Sequence, residues 1–342
     1  MAPSEEPIPE TNCTEEPVLE DIEWTIPQQN VIAHRNGPMQ VIACAGSGKT
    51  TTISRMIAEM VNDRRAGINR NSIVAFTFTE NAANQLKVSI KKEIEKVSED
   101  PNLGEMFIGT IHKFCKELLN KYVPETLSYE ILSENALPAF VFQHAKKIGI
   151  SGLPPAHSDA LSKKVGWFIN DANTVRREDY VDALSMAEDS NASAFFDAFR
   201  KFQVLLDQYH FFDFEELIYR TVKVLEKDPA VLRDVRSRYR YIVVDEYQDI
   251  DAAQERLIRL LTGESHNIVV VGDDDQAIYR WRGAQVENFL TFAERHGIEP
   301  VRLEGNFRSS DLIIELSRTF ISSNARRLPK SMEPGKRRPE VV

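Results

Sequence analysis

The apolar run Met39-Gln40-Val41-Ile42 passes directly into Ala43-Cys44-Ala45-Gly46-Ser47-Gly48-Lys49-Thr50. No other stretch restricts the fold as strongly. The order is that of a strand feeding a tight loop that aims consecutive backbone N–H groups at an anion, then a helix. Gly46 and Gly48 stand where a Cβ would obstruct the approach of a phosphate. Lys49 follows at the spacing that reaches β- and γ-phosphates, and the Thr50 hydroxyl at the spacing that ligates Mg²⁺. The full pattern asks for Gly at position 43, where this chain has Ala43.

Almost two hundred residues later, Tyr241-Ile242-Val243-Val244 ends in Asp245-Glu246. A buried strand ending in two carboxylates sets them at the C-terminal edge of a parallel sheet, where open α/β folds bind ligands. An acidic pair after a strand is by itself an ordinary solvated turn. Together with Lys49 and Thr50 it reads as the second half of an ATP site, Asp245 holding Mg²⁺ and Glu246 orienting and deprotonating the attacking water.

At 342 residues the chain is long enough for about two domains. It has no run of eighteen apolar residues and no secretory leader pattern, and the expectation is a soluble, cytoplasmic protein with no membrane partner. Cys13, Cys44 and Cys115 fit neither a disulfide framework nor a zinc pattern, in keeping with a reducing compartment. The net charge of −10 argues against nucleic acid until its distribution is considered. Of the 52 Asp and Glu, eight fall in Met1–Glu23, which has no Lys or Arg, so the remainder sets 44 against 42 Lys and Arg. That leaves room for a local basic groove. Residues 1–22, with four prolines, read as a disordered acidic tail. The segment from Asn324 onward, with Arg326, Arg327, Lys330, Lys336, Arg337 and Arg338 among prolines, reads as irregular and solvated.

Between these ends, strand patterns at Val41–Ala43, Ile73–Thr77, Phe107–Gly109, Tyr241–Val244 and Ile268–Val271 alternate with helical ones, which predicts an α/β fold with a parallel sheet covered on both faces. Residues 116–207 break that rhythm. A stripe of Phe195, Phe196, Phe199, Phe202, Leu205 and Leu206 has helical spacing, and the region shows no convincing strand. It reads as an inserted helical subdomain with the phenylalanines in its core.

Another strand ends in Gly272-Asp273-Asp274-Asp275-Gln276, followed by Tyr279, Arg280, Trp281 and Arg282. Gln276 could hydrogen-bond a γ-phosphate. Aromatics interleaved with arginines suit single-stranded nucleic acid, rings stacking on bases and guanidinium groups meeting phosphates. The alternative is an amphipathic edge that packs its rings inward.

In their joint order these motifs resemble the N-terminal half of UvrD/Rep-type superfamily 1 DNA helicases, from about Ile22 to Pro329. Ile26-Pro27-Gln28-Gln29 is similar to the adenine-reading Q motif, with Gln29 better spaced and Gln28 the fallback. Ala45, Gly46, Ser47, Gly48, Lys49 and Thr50 correspond to motif I. Thr77–Ala83, containing Phe78, is similar to motif Ia, and Gly109–Cys115, containing Thr110 and His112, to motif Ib. Asp213–Ile218 matches a further family element. Asp245–Asp249 resembles motif II, and the loop bearing Gln276, Tyr279, Trp281 and Arg282 resembles motif III. Leu303–Ser310 resembles motif IV, which would give Arg308 a γ-phosphate contact and Phe307 a stacking position on adenine.

Three departures stand out. Thr51 occupies the place of an arginine that sandwiches the adenine, Asn81 replaces a common lysine, and Val342 precedes motifs V and VI. The resemblance implies a RecA-like fold divided as follows: 23–115 with 208–284 as the first RecA-like domain, 116–207 as the helical insert, and 285–342 as the opening of an incomplete second RecA-like domain. It also implies ATP and Mg²⁺, single-stranded DNA and strand–duplex junctions as partners, 3′→5′ movement, and a further chain or segment supplying the rest of the second domain. An ATP-gated DNA-binding module without unwinding activity, or the helicase subunit of a helicase–nuclease, are the competing readings.

Overall fold

The computed structural model describes residues 23–63, 65, 67–153, 160–181, 190–263, 267–324 and 326–335. The acidic tail, Cys13 and the basic run Lys336-Arg337-Arg338 lie outside the described residues. The strands are β1 (Pro38–Ala43), β2 (Ile73–Thr77), β3 (Phe107–Thr110), β4 (Glu130–Ile131), β5 (Phe211–Phe212), β6 (Tyr241–Val244), β7 (Ile268–Gly272), β8 (Val301–Leu303), β9 (Gly305–Asn306) and β10 (Glu333–Pro334).

Six of them form one sheet in the order β3-β2-β6-β7-β1-β8, and every pairing is parallel. The fold is α/β, as the alternation of strand and helix patterns predicts. β2 and β6 read as continuous Val, Ile and aromatic runs because both faces are buried. Successive side chains go to opposite faces. Val74 and Phe76 join Phe114, Leu217 and Val244 in one core, whereas Ile73 and Ala75 join Ile53, Met56 and Val243 in the other.

β8 departs from the sequence expectation. Its residues lie beyond the expected boundary near Gln285, yet β8 pairs with β1 in the register Val41↔Val301, Ile42↔Arg302, Ala43↔Leu303, and Cys44 N–H donates to the Leu303 carbonyl at 3.0 Å. Without β8 the P-loop strand would be a sheet edge with unpaired backbone groups. The first sheet therefore extends through Leu303.

The helical region has a separate core that includes Phe140, Ile148, Phe168, Phe195, Phe199, Phe202 and Leu206. Phe196 is the exception in the expected stripe. It is only partly buried, with the Arg200 guanidinium 5.9 Å above its ring. The region is not wholly without strand either, because β4 and β5 pair in parallel and join its two stems. Arg176, fully buried, ties the helix Leu161–Arg177 to the sheet domain through Asp213 (2.8 Å) and Glu216 (3.2 Å).

Candidate functional site

The C-terminal ends of β1, β2, β6, β7 and β8 gather the candidate side chains along one edge of the sheet, as the parallel arrangement requires. At β1, Gly46 and Gly48 take φ +70° and +79°, and a Cβ on Gly46 would lie 2.6 Å from Asn306 Oδ1. Among the described residues no side chain caps the helix Lys49–Asn62, so its N-terminal N–H groups and dipole remain directed at the loop. The Ser47 hydroxyl is buried without a hydrogen-bond partner among the described residues, and Thr50 is exposed at the first turn. An orphaned buried hydroxyl in a glycine loop ahead of an uncapped helix is the setting a phosphate completes.

Gln28, rather than the better-spaced Gln29, reaches this loop. Its Nε2 donates to the Ser47 carbonyl at 3.2 Å, whereas exposed Gln29 turns away and donates to Trp24 O at 2.8 Å. The reason is local. Thr25 caps the helix Ile26–Ile32 and the Gln28 side chain returns to Thr25 N–H, which orients Gln28 inward.

At β6, Lys49 Nζ lies 2.9 and 3.0 Å from the two Glu246 carboxylate oxygens. Glu246 adopts φ +53°, a left-handed conformation uncommon for a residue with a side chain. Burial pushes the Asp245 carboxyl up to about 6, with Glu246 adding to the rise and Lys49 opposing it. Asp249 is also raised to about 6 by burial and then by Glu246, and its Oδ1 has no partner among the described residues.

Gln248 is a connection that motif spacing alone does not disclose. Its Nε2 donates to Glu246 Oε2 at 2.8 Å, and its Oε1 accepts from Asp273 N–H at 3.1 Å. Asp273 Oδ2 in turn accepts from Gln276 Nε2 at 2.6 Å. Gly272 leaves room for this bridge, since a Cβ would sit 2.5 Å from Gln248 Oε1 and displace it. Lys49, Glu246, Gln248, Asp273 and Gln276 thus form one uninterrupted polar chain.

Three residues beyond Gln276, Tyr279 stacks on Phe78 from the end of β2, with centroids 4.9 Å apart and planes at 28°. Trp281 is 78% exposed, with the Arg282 guanidinium 5.7 Å over its ring. The inward-packing alternative does not describe this tryptophan. Arg282 also pairs with Glu134 of the helical region. Thr110 and His112 are more engaged. The Thr110 hydroxyl donates to Glu80 at 2.8 Å and accepts from Lys113 N–H, capping the helix Ile111–Tyr122. The His112 ring meets Phe214 edge-on at 5.1 Å, and burial lowers its pKa. Cys44 and Cys115 are buried free thiols pushed up to about 12 by burial.

Beyond β8, Phe307 N–H donates to the Gly46 carbonyl at 2.9 Å, and Asn306 Oδ1 accepts from Arg308 and Ser309 N–H. This brings exposed Phe307 and Arg308 against the P-loop. Asn306, buried beneath them, was not singled out from sequence although it lies within the quoted motif.

The UvrD/REP helicase N-terminal domain model matches residues 24–297. DNA helicase II of Haemophilus influenzae is 31% identical over 312 residues, covering 89% of this chain and 41% of that protein. ATP-dependent DNA helicase PcrA of Staphylococcus aureus is 29% identical over 308 residues, covering 89% and 40%. PcrA of Staphylococcus epidermidis is likewise 29% identical over 308 residues. The chain spans about two fifths of the length of these relatives. With a P-loop, a paired acidic strand end and a match across most of its length, the chain belongs to the UvrD/REP helicase N-terminal domain family.

Proposed function

We propose that this chain is the ATP-binding half of a 3′→5′ single-stranded DNA translocase and helicase acting at strand–duplex junctions in the cytoplasm. The observation that carries the reading is the polar chain from Lys49 to Gln276, which ends three residues before an exposed aromatic and arginine platform. A phosphate site and a base-stacking surface on one loop system are what coupling of hydrolysis to strand movement requires.

In this reading Lys49 binds the β- and γ-phosphates, Gln276 and Arg308 approach the γ-phosphate, and Gln28 and Phe307 meet the adenine. Thr50 and Asp245 would hold Mg²⁺, which would neutralise charge developing on the transferred phosphoryl group. Glu246 takes the proton of the attacking water. Its pairing with Lys49 has a consequence: a γ-phosphate competes for the lysine and so frees the carboxylate to act as a base when substrate is present. Thr51, lacking a guanidinium, leaves base selectivity loose. Phe78, Tyr279, Trp281 and Arg282 line the strand, with Thr110 and His112 supporting that edge.

The helix Asp311–Ile321 exposes Leu312, Ile313, Leu316 and Phe320. Those side chains suit a surface covered by the remainder of a second RecA-like domain, supplied by further polypeptide that also carries the arginine finger, worth about 10³–10⁵ in rate. The same open face favours a second reading, an ATP-gated DNA-binding module that recruits such a partner without unwinding by itself.

Strand separation on 3′-tailed and 5′-tailed duplexes tests the reading, using the 342-residue chain alone and mixed with a polypeptide carrying motifs V and VI. The expected result is slow ATP turnover and no unwinding alone, with unwinding of the 3′-tailed duplex in the mixture. Robust unwinding by the chain alone, or unwinding confined to the 5′-tailed duplex, contradicts it.

A further inference from the structure

The segment from Asn324 onward reads as solvated in sequence, but its residues 326–335 fold back onto the Gly272–Gln276 turn and the β8–β9 connection. Lys330, with a side chain 1% exposed, lies 2.7 Å from Asp273 Oδ1 and 3.2 Å from Asp275 Oδ2, and also contacts Asp274 Oδ1. Arg327 grips Asp275 with two nitrogens, at 3.0 and 2.6 Å, and Leu328 N–H donates to Asp274 Oδ2 at 2.8 Å. The strap is then fastened to the β8–β9 connection. Ser331 N–H donates to the Glu304 carboxylate at 2.7 Å, Glu333 N–H to the Glu304 carbonyl at 2.9 Å, and Gly335 N–H to the Asn306 carbonyl at 2.9 Å.

Three consecutive carboxylates, Asp273 as the N-cap and Asp274 and Asp275 in the 3₁₀ turn that follows, repel one another unless a cation lies among them. Lys330 supplies the cation from within. Asp273 is the node. One oxygen takes Lys330, the other takes Gln276, and its N–H goes to Gln248. Immediately downstream the chain becomes the Tyr279–Trp281 platform. Asn306, at the far end of the strap, touches the P-loop glycine and orients Arg308.

We propose that Lys330, assisted by Arg327, is a positioning residue that locks the Asp273–Gln276 turn, so that nucleotide at the P-loop and a strand on Trp281 change each other's affinity. It touches neither ligand. By holding Asp273 it fixes the angle of Gln276 toward the nucleotide and the start of the aromatic platform toward the strand, making one rigid lever of two sites. This rests on the function proposed above.

The test is a linkage measurement on the 342-residue chain. A fluorescent non-hydrolysable ATP analogue with Mg²⁺ and a fluorescent oligo-dT are each titrated alone and with the other saturating. Wild type should show a coupling factor in the usual range of about 5–150-fold. Lys330→Met should keep each affinity measured alone within about threefold while the coupling falls toward one, and Lys330→Arg should restore it. Lys330→Met with Asp274→Asn, which removes one carboxylate, guards against collapse of an uncompensated turn, and melting curves accompany every variant. If position 330 proves intolerant, Arg327→Ala, at the more exposed rim, decides by lowering the coupling or leaving it unchanged. Coupling that survives in a folded Lys330→Met or in Arg327→Ala overturns the clamp. So does wild type that binds both ligands independently. Wild type that binds neither ligand overturns the proposed function itself.

Discussion

Two helices of this molecule carry apolar residues at helical spacing and meet opposite fates. Lys49–Asn62, behind the P-loop, buries Thr52, Ile53, Ser54, Met56, Ile57, Ala58 and Met60 against the sheet. Asp311–Ile321 buries Ile314 and leaves Leu312, Ile313, Leu316 and Phe320 facing outward. The first helix crosses over from β1 to β2, two parallel strands of one sheet with β6 and β7 between them, and so lies on the sheet it connects. The second leaves β9 and returns through the Lys330 strap, and its apolar stripe stays exposed among the described residues. A clustered exposed face of that kind marks an interaction surface rather than a core. The nucleotide-site edge is therefore built on a buried scaffold, whereas the helix Asp311–Ile321 leaves most of its apolar side chains exposed among the described residues.

The most severe test of this contrast is truncation of one side chain in each helix. Ile57→Ala should cost about 2–5 kcal/mol, the range for a fully buried aliphatic, and Leu316→Ala should stay within about 0.5 kcal/mol. Chemical denaturation of both variants reads the difference, and equal losses would erase it.

Next in size is the phosphate site. Lys49→Ala removes a charge-assisted contact of about 1.5–3 kcal/mol, so affinity for a fluorescent ATP analogue should fall by roughly tenfold to a hundredfold or more. The fold should persist, because Lys49 pairs only with the partly exposed Glu246 among the ion pairs described. Unchanged affinity would remove the P-loop from the account.

Trp281→Ala should cost about 1–3 kcal/mol of single-strand affinity without lowering the melting temperature, since the ring is exposed. Arg282→Ala should chiefly flatten the salt dependence. A drop in melting temperature for the tryptophan variant would return that ring to the core.

The gentlest effect is a slope with pH. Burial, with Glu215 nearby, raises Asp251 to about 7, although it caps the helix Ala252–Thr262 by accepting from Gln254 N–H. A carboxyl raised in the folded state contributes its stability fully in acid and loses it as pH rises through about 7. Asp251→Asn keeps the capping oxygen without the charge, so its melting temperature should vary less than wild type between pH 5 and 8. Identical slopes would contradict the assignment.

Much of the scaffold was readable because its signals are local. Tyr241-Ile242-Val243-Val244 is a strand by composition, and Gly-Lys-Thr after β1 can serve few other purposes. What escaped depends on distant pairing. Val301-Arg302-Leu303 is too short and too polar at its centre to announce a sheet strand, and only the vacant side of β1 gives it a place. Gln28 and Gln29 differ by one residue, and the capping box decides between them. Lys330 reads as a tail cation because the three aspartates that bury it lie more than fifty residues earlier. Gln248 was visible as part of a motif, but its role as a bridge between Glu246 and Asp273 depends on side-chain geometry.

The measurement that bears most directly on the central claim is phosphate release from Mg²⁺-ATP by the purified chain as single-stranded oligonucleotide is titrated in. A slow basal rate that rises with the strand, disappears in Lys49→Ala and needs more oligonucleotide in Trp281→Ala is the predicted result, because the polar chain joins the two sites. Turnover indifferent to DNA, or stimulation unaffected by Trp281→Ala, would show that the platform and the nucleotide site are neighbours without being coupled.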